Sequence, residues 1–296
     1  MLKWKSCEEE SAMFHIFTDL AANLPEDLIE RYGIGVVPIR CSVDGEVLDV
    51  SRGFDGPAFY AAMRQGAQTS TSMPSLGEFI DLFEPALEKG EDILYIGISS
   101  GISGTVAAGQ SVADELKEKY PDRKIAVIDT KAASLGEGLP VLHAARLRAE
   151  GASFDDTVAD TQKLCDHMYQ VFTVEDLDYL RRGGRLHTAV AKIGNALHVK
   201  PILWGDADGH IVLQHMNVGR RRALDTLAAK YRDHCADKSQ PVGLAHCDSP
   251  EDTDYVVKKL LAAGCTGSIL NVCYEPVTGS HVGPGTVALF FQGPQR

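Results

Sequence analysis

ILYIGISSGISGT, residues Ile93 to Thr105, decides the fold class. Ile93 to Ile98 is a short buried-strand run of the kind found in parallel sheets covered on both faces. The next seven residues hold three Ser, two Gly and Thr105, and a helical pattern then runs to about Tyr120, where Pro121 ends it. Strand, hydroxyl-rich loop and helix in that order describe the carboxyl end of a strand in an α/β sheet, where such folds place ligands. The glycines let backbone approach a ligand closely. The unpaired N–H groups of a first helical turn and the helix dipole favour a carboxylate or phosphate there.

The same alternation extends in both directions. Upstream, the pattern predicts a strand at Met13–Thr18, a helix opening near Pro25 and a strand at Ile34–Arg40, followed by a turn at Asp44-Gly45 and a helix over Pro57–Arg64. Ser75-Leu76-Gly77-Glu78 matches a capping box, so a helix should run from there to about Lys89, with Gly90 stopping it. Downstream come a strand at Ile125–Asp129, a helix from Gly136 and a second one capped by Ser153. The second half reads as a strand at Tyr169–Val174, a Gly-rich turn at Arg182–Arg185, a helix, and a hairpin around Asp206–Gly209. A helix opening at Arg220 follows. Strands at Val242–His246 and Ser268–Cys273 then flank a helix at Glu251–Ala263, and GPGTVALFF closes the pattern as a strand. The expectation is an α/β protein of two domains: residues 13–165 with a parallel, Rossmann-like sheet, and residues 166–293 with a mixed sheet. No low-complexity linker separates them, so a ligand crevice or tunnel is expected between the two.

Composition narrows the function. The 296 residues carry 29 Lys and Arg against 41 Asp and Glu, a formal net charge of −12 that repels nucleic-acid phosphates and anionic lipid headgroups at long range. No apolar run approaches the roughly 20 residues that span a bilayer, and MLKWKSCEEESAM lacks an apolar signal core, so no integral membrane association and a cytoplasmic location are expected. Seven scattered cysteines without C-x-x-C spacing read as reduced thiols. Ten histidines form no local metal-ligand pattern, and no Walker-type loop occurs, so neither a metal nor another cofactor is expected.

Several segments carry chemistry. Thr69-Ser70-Thr71-Ser72-Met73-Pro74-Ser75 reads as a second hydroxyl-rich loop ahead of a helix, able to converge with Ser99–Thr105 on one anion. His281 stands beside Gly283-Pro284-Gly285, where a tight backbone leaves room for a ligand that the imidazole can hydrogen-bond. Arg181, Arg182 and Arg185 concentrate positive charge around Gly183-Gly184. A competing reading comes from Gly97-Ile98-Ser99-Ser100-Gly101, which matches the G-x-S-x-G nucleophile elbow. With Asp129 and His281 following in chain order, it describes a serine hydrolase of acyl esters.

Taken in order, FTDLAANLPEDLIERYGIGVVPI, TSMPSLGEF, ILYIGISSGISGT, VIDTKAASLGEGL, FTVEDLDYLRRGGRL, RRRAL and HVGPGTVAL resemble the DegV family of bacterial lipid-binding proteins nearly end to end. The resemblance implies two α/β domains around one long-chain fatty acid. The tail would occupy an apolar tunnel, and the carboxylate would sit on Thr71, Ser72 and Ser103 near His281, with Arg182 supporting this network. It implies a binding protein with no catalytic residues of its own, one that presents its fatty acid to the separate catalytic subunit of a fatty acid kinase and serves phospholipid metabolism. Three positions depart from the family pattern: Leu20 where Ser is usual, Met73 where Gln is common, and Asn217-Val218-Gly219 where Val-Arg-Gly is common. The first two bear on the polar end of the site, the third on the kinase partnership.

Overall fold

The computed structural model describes residues 14–50, 53–186 and 198–294. The first half opens with β1 (Phe14–Asp19), a 3-10 turn at Leu20–Ala22, α1 (Glu26–Tyr32) and β2 (Ile34–Val37), with β2 parallel to β1. The single strand expected from Ile34 to Arg40 is in fact two. Pro38 has no N–H to give a ladder, so β2 stops at Val37 and the chain resumes as β3 (Arg40–Val43) in another sheet. Asp44 and Gly45, both at positive φ, turn β3 back into β4 (Glu46–Val47). After α2 (Gly56–Arg64) comes a correction to the sequence reading: Thr69–Ser72 is a strand, β5, antiparallel to β3, where a loop was expected. Its burial alternates, with Thr69 and Thr71 half-buried and Ser70 and Ser72 exposed, as the pleat requires.

The capping box at Ser75 forms as read, with Glu78 N donating to Ser75 Oγ and Ser75 N to Glu78 Oε2, and it opens α3 (Leu76–Glu88). Next come β6 (Asp92–Gly97), α4 (Thr105–Lys119) and β7 (Ile125–Asp129), which complete an all-parallel sheet of order β2-β1-β6-β7. α5 (Leu135–Ala149) and α6 (Phe154–Asp166) lead into the second half.

That half comprises β8 (Met168–Thr173), α7 (Asp178–Arg182), β9 (Val199–Gly205), β10 (Ile211–Val218), α8 (Arg220–His234), β11 (Val242–His246), α9 (Pro250–Ala262), β12 (Ile269–Cys273), α10 (Pro276–Val282) and β13 (Val287–Gln292). The strands form one mixed sheet, order β10-β9-β8-β13-β11-β12, in which β11 and β12 are parallel and the other pairs antiparallel. The hairpin around Asp206–Gly209 joins β9 to β10 as read, whereas the helix expected before it falls largely on residues 187–197, outside the described residues. The pleat sorts each strand between two cores. Tyr169 and Val171 of β8 pack with α8 and α9 residues, and Met168 and Phe172 face the first half. α5 lies between the two sheets, packed on β1 and β6 and also on β11 and β13, and every residue from Leu135 to Leu142 is buried. A helix enclosed this way needs no polar face.

His281 is the second correction. The glycine-rich stretch suggested a loop, but His281 occupies the last turn of α10. Val277, Thr278, Gly279 and Ser280 are weak helix formers, so propensity gave no signal there. The Glu275 carboxylate caps the helix by accepting from the N–H groups of Val277 and Thr278, and Pro276 fits the first helical position.

Three carboxyl groups, Asp19, Glu137 and Glu275, are buried around this junction. Asp19 accepts from Ala21 N, Ile98 N and the Tyr95 hydroxyl, each at 3.0 Å. Thr18 donates to Glu137 Oε1 at 2.9 Å, and Glu137 Oε2 has no partner. Burial pushes Asp19 up to about 6 and Glu275 up to about 7, and burial together with the neighbouring Asp19 carboxylate drives Glu137 well above its ordinary range. A raised folded-state pKa gives stability that is complete below the unfolded value and is lost as pH rises through the folded one. Glu137→Gln, which cannot ionise, should therefore gain stability over the parent as pH is raised from 5 to 8, reaching roughly 1–3 kcal/mol. Denaturant titrations of both proteins at the two pH values measure this. A difference that stays constant with pH would mean Glu137 titrates as in the unfolded chain.

Candidate functional site

Residues of both halves line a cavity that encloses about 870 Å³ of space, part of it open to solvent. Its body is apolar, with Ile39, Ile98 and Ile102 from the first half and Phe172, Ile211 and Phe290 from the second. Four of its polar side chains come from four separate elements. The inward pleat of β5 carries Thr71, and the last turn of α10 brings His281 Nε2 to 2.8 Å from Thr71 Oγ1. Ser103, in the loop between β6 and α4, sits 2.8 Å from the buried Thr105 hydroxyl and accepts from Thr105 N at 3.3 Å. α4 opens at Gly104, which offers no side-chain cap to its first turn.

The fourth group is Arg185, just beyond α7. It lines the cavity and donates from Nε to the Ile102 carbonyl at 3.1 Å. Burial, with the Arg185 charge adding to it, lowers His281 to about 4, so its imidazole is neutral at physiological pH. His281 Nδ1 lies against Gly183, where a β-carbon would stand 2.5 Å away. The packing of the Gly-Gly turn on α10 thus holds the ring with Nε2 toward Thr71.

The residues singled out in the sequence are divided by the fold. Thr71, Ser103 and His281 line the one cavity, although they lie in three distant segments. Ser72 touches its rim but is exposed, on the opposite pleat from Thr71. Arg182 lies outside it, exposed, with its guanidinium 4.8 Å from the centre of the Tyr179 ring. There it lines an adjoining polar pocket of about 660 Å³ that shares Thr71, Arg185 and His281 with the main cavity. The sequence places three arginines at one turn, and the resemblance points to Arg182. Three residues further on, Arg185 is the one carried into the cavity wall. Met73 is 53 % exposed at the mouth, Leu20 lines a separate apolar pocket beside Phe54 and Cys273, and Val218 is 66 % exposed at the end of β10.

The hydrolase triad is not assembled. Ser99 is buried, its hydroxyl donating to the Gly209 carbonyl at 2.9 Å and accepting from Gly101 N at 3.0 Å. Asp129 is ion-paired with Lys131 at 2.9 Å, and His281 is engaged with Thr71. Ser99 therefore fastens the loop to the β9–β10 hairpin and has no base beside it. Among the described residues no cluster of three or more His, Cys, Asp or Glu is placed to hold a metal ion, and no helix is long and apolar enough to cross a membrane.

A family model for DegV proteins, described as uncharacterised, matches residues 13–293. The chain belongs to the DegV family. A DegV domain-containing protein of Clostridium perfringens is 34% identical over 286 residues, covering 96% of this chain and 98% of the relative. Among solved DegV structures, the fatty-acid-binding family protein of Thermus thermophilus superposes with a TM-score of 0.86 at 29% identity, covering 95% of this chain and 99% of that one. The fatty-acid-binding DegV protein of Streptococcus agalactiae gives 0.85 at 28%, covering 96% and 100%. The two α/β domains seen here match the DegV fold.

Proposed function

We propose that this DegV protein binds a long-chain fatty acid, with the tail in the apolar cavity between its two domains, residues 13–165 and 166–293, and the carboxylate at the Thr71, Ser103 and His281 end. The observation that carries this reading is one cavity, apolar over most of its wall, whose hydroxyls meet a neutral histidine and a single arginine at one place. Solved relatives described as fatty-acid-binding proteins support it. Thr71 Oγ1 and His281 Nε2 share a hydrogen bond of 2.8 Å, and the tautomer with the proton on Nε2 leaves the Thr71 hydroxyl hydrogen for the carboxylate. Ser103 supplies a second donor and Arg185 the charge. Neutral donors with one cation suffice for a head group, because the tail supplies the affinity at about 0.8 kcal/mol per buried CH₂.

The protein acts as a carrier in the cytoplasm and presents the carboxylate to the catalytic subunit of a separate kinase, which forms the acyl phosphate. The adjoining polar pocket, with Arg182 and Arg185 and no carboxylate among its lining residues, supports a head group reached from outside. Ser72 at the rim belongs to this approach. The competing hydrolase has no comparable support, since Ser99 and His281 are committed to other partners. Mass spectrometry of lipid extracted from natively purified protein tests the reading. A stoichiometric long-chain fatty acid is expected. Absence of lipid, together with no uptake of added fatty acid, would overturn it.

A further inference from the structure

Along β8, Met168, Gln170 and Phe172 share the pleat that faces the first half, and Gln170 is the polar residue among them. Phe172 and Gln170 line the main cavity. Met168, one pleat further and roughly 6–7 Å away, lines a different pocket with Leu139 and Leu142 and with the polar His143, Arg146 and Gln292. Gln170 is therefore the last residue of β8, going from Phe172 toward Met168, that lines the main cavity. It is held there from two sides: Nε2 donates to the Lys131 carbonyl at 3.0 Å, and the side chain lies over Gly205, where a β-carbon would be only 1.7 Å from Nε2. The head-group end is in the other direction, because β13 begins shortly after His281 and pairs its first residue, Val287, with Thr173 and its last, Gln292, with Met168.

Resting on the fatty-acid reading above, we propose that Gln170 is the end wall of the acyl cavity and determines the chain length it accepts. A methylene beyond this point meets the bulk of the Gln170 side chain packed over Gly205, so acids longer than the cavity are rejected. Removing the side chain opens the wall toward the apolar surface of Met168, Leu139 and Leu142. A methyl at Gly205 pushes the amide into the cavity and shortens it.

The test is a titration of delipidated protein with straight-chain saturated fatty acids of increasing length, for the parent, Gln170→Ala, Gln170→Leu and Gly205→Ala. Gln170→Ala is expected to move the preferred length upward, with roughly tenfold tighter binding of an acid two carbons longer relative to the parent's best ligand. Gly205→Ala should move it downward. Gln170→Leu keeps the bulk and lacks the amide, so its preferred length should match the parent's, which separates an end wall from a mere tie between the domains. The same preferred length in the parent, Gln170→Ala and Gly205→Ala would overturn the assignment. Should the parent bind no fatty acid of any length, the fatty-acid reading itself fails, an outcome distinct from an unaltered preference.

Discussion

Thr71→Ala combined with Ser103→Ala is expected to weaken fatty-acid binding by at least roughly 100-fold while leaving the fold intact. Each hydroxyl is proposed to give one hydrogen bond to an ionised carboxylate, and bonds to a charged partner contribute roughly 1.5–3 kcal/mol apiece. Removing both leaves His281 and Arg185 facing the head group, so a residual affinity from these and from the buried tail should persist. Both side chains are half-buried at the cavity margin, and neither lies in a fully buried core position. The melting temperature in the absence of ligand should therefore change little. Competition against a fluorescent fatty-acid analogue reads the affinity, and thermal unfolding of the delipidated protein reads the fold. Unchanged affinity in the double variant would put the carboxylate elsewhere, and the Gln170 end of the cavity would be the next place to look.

Gly209→Ala should lower stability substantially. Gly209 turns the β9–β10 hairpin at a φ of 81°, and its carbonyl accepts the Ser99 hydroxyl. A β-carbon there would stand 2.1 Å from Ser99 Oγ and 3.0 Å from the Lys131 backbone. The substitution combines left-handed strain with a clash against the buried Ser99 hydroxyl and a tight contact with the Lys131 backbone, for a cost of about 2–4 kcal/mol. Chemical denaturation measures the loss. Because the contact joins the second-half hairpin to the first-half loop that carries Ser103, ligand affinity should fall along with stability. A variant as stable as the parent would show that this contact between the halves is adjustable.

Local patterns carried the reading furthest where one element's own residues decide its structure. The capping box at Ser75, the buried run ahead of Ser99, the Asp44-Gly45 turn and the Ser153 cap all form where the sequence places them. Legibility fails where an element exists because of what it packs against. Thr69–Ser72 has the composition of a loop and becomes a strand because β3 offers it a ladder. Pro276–Val282 has poor helix formers and becomes a helix because Glu275 satisfies its first N–H groups and both domains pack around it. Arg182 and Arg185 are equivalent as neighbouring charges on the chain. The turn at Gly183-Gly184 points one to solvent and carries the other into the cavity wall.

The resemblance to DegV proteins picked out Thr71 and Ser103, and by itself the sequence determined the alternation of strands and helices, the all-parallel first sheet and the hydroxyl-rich loop at a strand end. These follow from hydrophobic period, turn chemistry and capping, which act over a few residues. Only the tertiary structure decided that Thr71, Ser103 and His281 line one cavity, that Ser99 is a buried fastener and that Arg185 and Gln170 are carried into the wall of that cavity. Those facts depend on contacts between segments as far apart as Thr71 and His281, 210 positions along the chain, and no local pattern encodes which distant surfaces will share a buried volume.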